Sequence, residues 1–163
     1  MKKITNLLLL LAVALFVACD DTIDAPDTLE VKPYYLAGTW QLAEVNGSAL
    51  ADDTYVYVVL DRKKGFKIYQ NTSSMYPVLY TGTYELEYDW RVGDVISGVY
   101  DYGKGAWSNE YVITELYEES MVWTVKVDGT KDENPEVQKF VRIDKDVDKV
   151  PSHIVEAARQ PYE

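Results

Sequence analysis

The sequence predicts an all-β domain: one antiparallel up-and-down barrel of about eight strands, followed by a short C-terminal helix. Three observations predict it. Large apolar residues recur at every second position from Leu36 onward, which is the period of a strand with one buried face. Glycine, asparagine and aspartate break that pattern roughly every 8 to 12 residues, too often for a crossover helix, so sequence neighbours pair antiparallel. The chain holds a single cysteine, Cys19. No disulfide staples the domain, and its core alone must hold it.

The elements follow in order. Thr39 to Val45 is the first strand, and Tyr55 to Leu60 the second. In the second, Tyr55 and Tyr57 alternate with Val56 and Val58, so both faces are apolar and one of them needs a second use. Phe66 to Gln70 comes next. In Tyr84-Glu85-Leu86-Glu87-Tyr88-Asp89-Trp90 every intervening residue is acidic, which predicts Tyr84, Leu86, Tyr88 and Trp90 inside and the acids in water. Val78 to Tyr80 either opens that strand or pairs with it. Val95 to Tyr102, Tyr111 to Tyr117, Met121 to Val127 and Val137 to Ile143 complete the set, with Trp123 on an inward face. Closing the ribbon, in place of a sandwich, removes exposed edges. Ser152 to Arg159 is the helical candidate, with Ser152 as cap and His153, Ile154, Ala157 and Ala158 as an apolar stripe for the outside or one end of the barrel.

Ahead of the barrel lie two further regions. Lys2 and Lys3 precede an uncharged apolar run, Leu7 to Ala18, too short for a permanent membrane span and laid out as a secretory signal peptide over residues 1–18. Phe16-Val17-Ala18-Cys19 resembles the lipobox of bacterial lipoproteins. Phe16 and Val17 depart from the residues usual there, while the small-residue–cysteine junction is intact. The resemblance implies cleavage before Cys19 and acylation of that cysteine, an anchor that needs no transmembrane helix. Residues 19–35 then form a lipidated N-terminus and flexible tether, since Asp21 to Pro33 carries two prolines, four acidic side chains and no apolar period. Residues 36–163 form the barrel domain and its tail. Asp20 and Asp21 resemble the acidic residues that follow the cysteine in surface-displayed lipoproteins of some Gram-negative anaerobes, implying an outer-membrane address and exposure at the cell surface.

The barrel itself carries a second resemblance. Leu36-Ala37-Gly38-Thr39-Trp40-Gln41-Leu42, followed by Val45-Asn46-Gly47, is similar to the first strand of lipocalin-like lipoprotein domains, whose hallmark is Gly-x-Trp. Tyr80-Thr81-Gly82-Thr83-Tyr84, Tyr111-Val112-Ile113-Thr114-Glu115-Leu116 and Phe140-Val141-Arg142-Ile143 match in kind, so the likeness runs from about Leu36 to Asp144. It implies that Trp40 closes the barrel floor and that Arg142 lies across it.

Charge and chemistry narrow the function. The formal net charge is −11, a field that repels nucleic acid and anionic lipid; Arg62-Lys63-Lys64 is a three-residue turn and makes no phosphate site. The one histidine, His153, falls beyond the last strand, which argues against a histidine triad in the barrel and rules out a zinc site of several imidazoles. Asp52-Asp53, Glu118-Glu119 and Asp132-Glu133 are solvated turn acids, not a facing catalytic pair. Asp144-Lys145-Asp146-Val147-Asp148 alternates like a calcium loop but has Lys149 and Val155 where glycine and glutamate are needed, leaving at most an improvised calcium site. Gly103-Lys104-Gly105-Ala106-Trp107 lacks the following helix of a phosphate loop and is a hairpin turn. No cofactor is expected and no enzyme. The 14 tyrosines and 4 tryptophans point to binding: Tyr100, Tyr102, Trp107 and Tyr111 flank a glycine-rich turn at a barrel mouth, and Tyr55 and Tyr57 join them as candidates for a small amphipathic or sugar-like ligand. The other reading is an accessory module or inhibitor that docks to another envelope protein through an exposed aromatic patch.

Overall fold

The computed structural model describes residues 27–72, 76–127, 134–146 and 148–159; the leader, Cys19 and Asp132-Glu133 lie outside them. A single sheet contains β1 (Gly38–Val45), β2 (Ser48–Ala49), β3 (Val56–Leu60), β4 (Gly65–Gln70), β5 (Val78–Asp89), β6 (Gly93–Tyr100), β7 (Tyr111–Leu116), β8 (Ser120–Val125) and β9 (Val137–Asp144). Every pairing is antiparallel between neighbours, and β9 returns to β1, so eight strands close into a barrel with β2 as a flap on β1. Val78 to Tyr80 opens β5. Asn46 and Gly47 both take positive φ, 51° and 74°, the backbone a two-residue hairpin between β1 and β2 requires.

Closure makes the alternation work. Trp40, Leu42, Val58, Leu60, Phe66, Tyr84, Ile96, Ile113, Leu116, Met121, Trp123 and Phe140 pack into one interior, each large side chain worth roughly 1.5–3 kcal/mol of burial. β5 departs from its expected pattern. Tyr84 is fully buried and Leu86 half-buried, but Tyr88 and Trp90 are 71% and 82% exposed. The reason is register: past Tyr84 the strand has no partner in β4, before Val95 β6 has none in β7, and the hairpin between pairs only with itself. Alternation persists there with no interior behind it. Its tip is held from outside by Lys126, which meets Asp89 at 3.6 Å and Glu110 at 2.9 Å.

The stretch assigned to the tether is in part a structural element. Leu29 N–H donates to the Leu116 carbonyl at 2.7 Å, Leu29 and Val31 pack on the core, and a single helical turn α1 (Pro33–Leu36) buries Leu36. Apolar residues two apart lack the length to show a period, yet they suffice to cap one end of the barrel.

After β9 the chain is tied back to β1, where the buried Thr39 hydroxyl accepts from Lys149 N–H at 3.1 Å. It then forms α2 (Ser152–Arg159), whose first intrahelical bond is accepted by the Pro151 carbonyl. The helix lies outside the barrel over β3, β4 and β5, and its buried stripe is Ile154, Val155 and Ala158. His153 and Ala157 point to water. This is the second use of the doubly apolar second strand: Val56 and Val58 face in, while Tyr57, Val59 and Tyr69 form an outer cluster under α2.

Ile154→Ala should lower stability by about 2 kcal/mol or more, whereas Ala157→Ser should change it by less than about 0.5 kcal/mol; urea unfolding distinguishes the two. Burial pushes the Tyr84 hydroxyl up to about 12 and raises Tyr55, Tyr57 and Tyr69 above 10.0. The unfolded chain ionises these phenols first, so the stability they confer is whole below about pH 10 and is lost as pH climbs toward about 12. A urea midpoint that stays flat across that window contradicts the burial.

Candidate functional site

The barrel is closed at one end and hollow at the other. At the closed end Trp40 is fully buried and its indole N–H donates to the Leu36 carbonyl at 2.8 Å. The Arg142 guanidinium lies 3.9 Å from the centre of the Trp40 ring and donates to the carbonyls of Ala37 at 2.7 Å, Tyr35 at 2.6 Å and Glu118. One cation thus ties α1, β1, β9 and the β7–β8 turn together. Gly38 leaves room for it, since a Cβ there would sit 2.5 Å from an Arg142 nitrogen, and its φ of 140° suits glycine. Burial lowers the Arg142 pKa, with Glu119 and Glu118 opposing; the group stays charged at any physiological pH.

Above this floor a cavity of about 440 Å³ opens at the end where β1 and β4 finish and β3, β7 and β9 begin. Its wall joins an aliphatic side, with Leu42, Val56, Val58 and Ile68, to an aromatic side with Tyr100, Trp107, Tyr111, Trp123 and Phe140. Gln70, Thr72, Ser108, Glu136 and Gln138 form the polar part of its lining. The rings touch in sequence: Trp107 is 6.2 Å from Tyr111 and 5.9 Å from Trp123, Trp123 is 4.8 Å from Phe140, and Phe66 stands 5.1 Å behind Trp107. Burial, with the Tyr111 and Tyr80 phenols beside it, raises the Tyr100 hydroxyl pKa, so it remains a neutral donor at pH 7.

Trp107 reaches this position through the Gly103-Lys104-Gly105 turn. The chain folds back along β6, Trp107 N–H donates to the Gly98 carbonyl at 2.8 Å, and Val99 bridges Ala106. The ring lies against Gly98, where a Cβ would stand 2.2 Å from the indole. The return segment fills a thin part of the wall, because β6 and β7 pair through only Val95–Val112 and Ile96–Tyr111. Among the described residues two buried donors find no acceptor, the indole N–H groups of Trp107 and Trp123.

Of the residues singled out by sequence, Tyr100, Trp107 and Tyr111 meet in this cavity. Tyr102 does not: it occupies the turn at φ 60° and is 94% exposed. Tyr55 and Tyr57 do not either, since they belong to the outer cluster beneath α2. Trp123 is legible as core but not as cavity lining, and Gln70, Thr72 and Gln138 carry no signal beyond lying at or near strand ends. Asp144 accepts from Asp146 N–H at 2.8 Å and Asp148 pairs with Lys67. Among the described residues no three His, Cys, Asp or Glu side chains converge on a metal-sized point, and no helix is long and apolar enough to cross a membrane.

No family model matches this sequence, and no curated protein does. Among solved structures, a lipocalin-like protein from Bacteroides uniformis is similar at 18% identity and a TM-score of 0.42, over 66% of this chain and 97% of that one.

Arg142→Lys keeps the charge but loses the fork that reaches three carbonyls. It should cost about 1–3 kcal/mol in urea unfolding; a change under about 0.5 kcal/mol contradicts the floor described above. Gly98→Ala should cost about 1–3 kcal/mol by overpacking and shift tryptophan emission as the Trp107 ring is displaced.

Proposed function

We propose that this protein is a lipid-anchored envelope lipoprotein whose lipocalin-like barrel binds one small, partly apolar ligand without catalysing a reaction on it. The cavity carries the reading. A barrel of eight strands is narrow enough for side chains to fill it completely; here about 440 Å³ is left open inside, lined by rings and rimmed with amides and hydroxyls. That volume and lining are those of small-molecule sites. Flat rings with polar tips suit an amphipathic or sugar-like molecule. The anchor rests on the leader and the small-residue–cysteine junction at Ala18-Cys19, with the outer membrane as the destination.

A second reading has its own observation. Tyr88 and Trp90 stand exposed on a hairpin that packs on little else, and an exposed aromatic pair is a usual feature of protein docking surfaces. Trp90→Ala would then abolish capture of another envelope protein and leave small-ligand binding intact.

Tryptophan emission reports on both, since Trp107 and Trp123 line the cavity and Trp90 lies outside it. Titration with a broad lipid, sugar and metabolite panel should give a saturable response that Trp107→Phe alters and Trp90→Phe does not. Silence across the panel removes the ligand-binding reading. Cys19→Ser should release the protein from membranes; continued partitioning removes the anchor.

A further inference from the structure

If the cavity is the ligand site proposed above, a reading on which this inference rests, then its lining also sets the charge of the molecule it takes. Among the described residues no Lys, Arg or His lines the cavity, and its one carboxyl group is that of Glu136. Side chains two apart in an extended chain share a face, so Gln138 and then Glu136 continue toward the mouth the inward row that starts at the buried Phe140. The Gln138 amide donates to the Glu136 carboxylate at 2.7 Å. Lys139, the basic residue nearest to Glu136 in the described chain, pairs with Glu44 instead.

The aromatic side of the wall has the same preference. The ring centres of Trp107, Tyr111 and Trp123 form a triangle with sides of 6.2, 5.4 and 5.9 Å. The indole nitrogens of both tryptophans are enclosed, so what these side chains turn to the cavity is ring carbon. Aromatic faces carry negative potential, which attracts cations and repels anions. A carboxylate or phosphate in this lining would find no cation to offset its desolvation, whereas an ammonium would find rings and a carboxylate. The net charge of −11 acts in the same direction by drawing cations toward the protein.

We infer that the cavity selects an organic cation, an ammonium group on an apolar body, whose charge is met by the rings of Trp107, Tyr111 and Trp123 and by Glu136 at the mouth. The apolar body packs against the aliphatic wall of Val56, Val58 and Ile68. Fatty acids and other anions are rejected.

Three naphthalenes that differ in the charge of one tetrahedral substituent test this: trimethyl(naphthyl)ammonium, tert-butylnaphthalene and naphthalenesulfonate. Equilibrium dialysis against the full chain in non-ionic detergent, with protein-free detergent as blank, gives each affinity. The ammonium should bind tightest and the sulfonate weakest. Glu136→Gln and Tyr111→Leu should each lower the ratio of ammonium to hydrocarbon affinity about threefold or more. That ratio decides, since a substitution that merely disturbs the wall moves both probes together. If the hydrocarbon or the sulfonate binds tighter than the ammonium, or if either substitution leaves the ratio unchanged, the inference fails while the cavity remains a binding site. If none of the three binds, the binding-site reading fails with it.

Discussion

Everything in this molecule depends on β9 finding β1. β1 and β9 are the strands that join the two ends of the sequence: β9 has β8 on one flank and β1 on the other, and β1 has β3 and β9. Bulges at Thr39/Trp40 and Leu42/Glu44 let it bend enough to serve both. With no disulfide available, ring closure is what converts a ribbon with one greasy face into an enclosed interior. Arg142 reinforces that closure at the point where the strands meet. Trp40 pairs directly with Arg142 across the seam, so the side-chain contact and the backbone ladder select the same register. A slip of one residue would turn both side chains to the wrong face.

The closed end is consequently stiff and satisfied, and the open end is neither. At the floor every polar group that matters has a partner: the Trp40 indole, the Arg142 fork and the Tyr84 hydroxyl, which donates to the Asp61 carbonyl at 2.9 Å. Around the cavity two indoles go without. Those two donors are enclosed without an acceptor among the described residues, so the satisfied polar contacts of the interior are concentrated at its closed end.

The legibility of the fold is set by what a period of two can encode. It marks which residues lie on one face, so the strands and their closure are readable from spacing; the bounds of α2 are readable too, although Ser152 is its first residue and the Pro151 carbonyl, not a Ser152 cap, accepts its first bond. It does not mark where a strand outruns its neighbours, and for that reason alternation alone puts Tyr88 and Trp90 inside. The doubly apolar run Tyr55 to Val58 does have a second use, yet composition alone does not separate a cavity wall from a bed for a helix. The site is half visible in the sequence. A glycine-rich turn beside Tyr100 and Trp107 locates the open end, whereas the shortage of acceptors around Trp107 and Trp123 is a fact about three-dimensional neighbours and leaves no trace in the order of residues.

The thin seam between β6 and β7 has a mechanical meaning. Eight residue pairs join β5 to β6, but two join β6 to β7, making this the line along which the wall parts most readily. Trp107 hangs from the β6 side by its bond to Gly98, and Tyr111 begins β7. A molecule in the cavity that packed against both rings would bridge the gap like a rivet. Occupancy then would slow amide exchange along β6 and β7 more than anywhere else in the barrel, so that filling the chamber and fastening its weakest joint are one event.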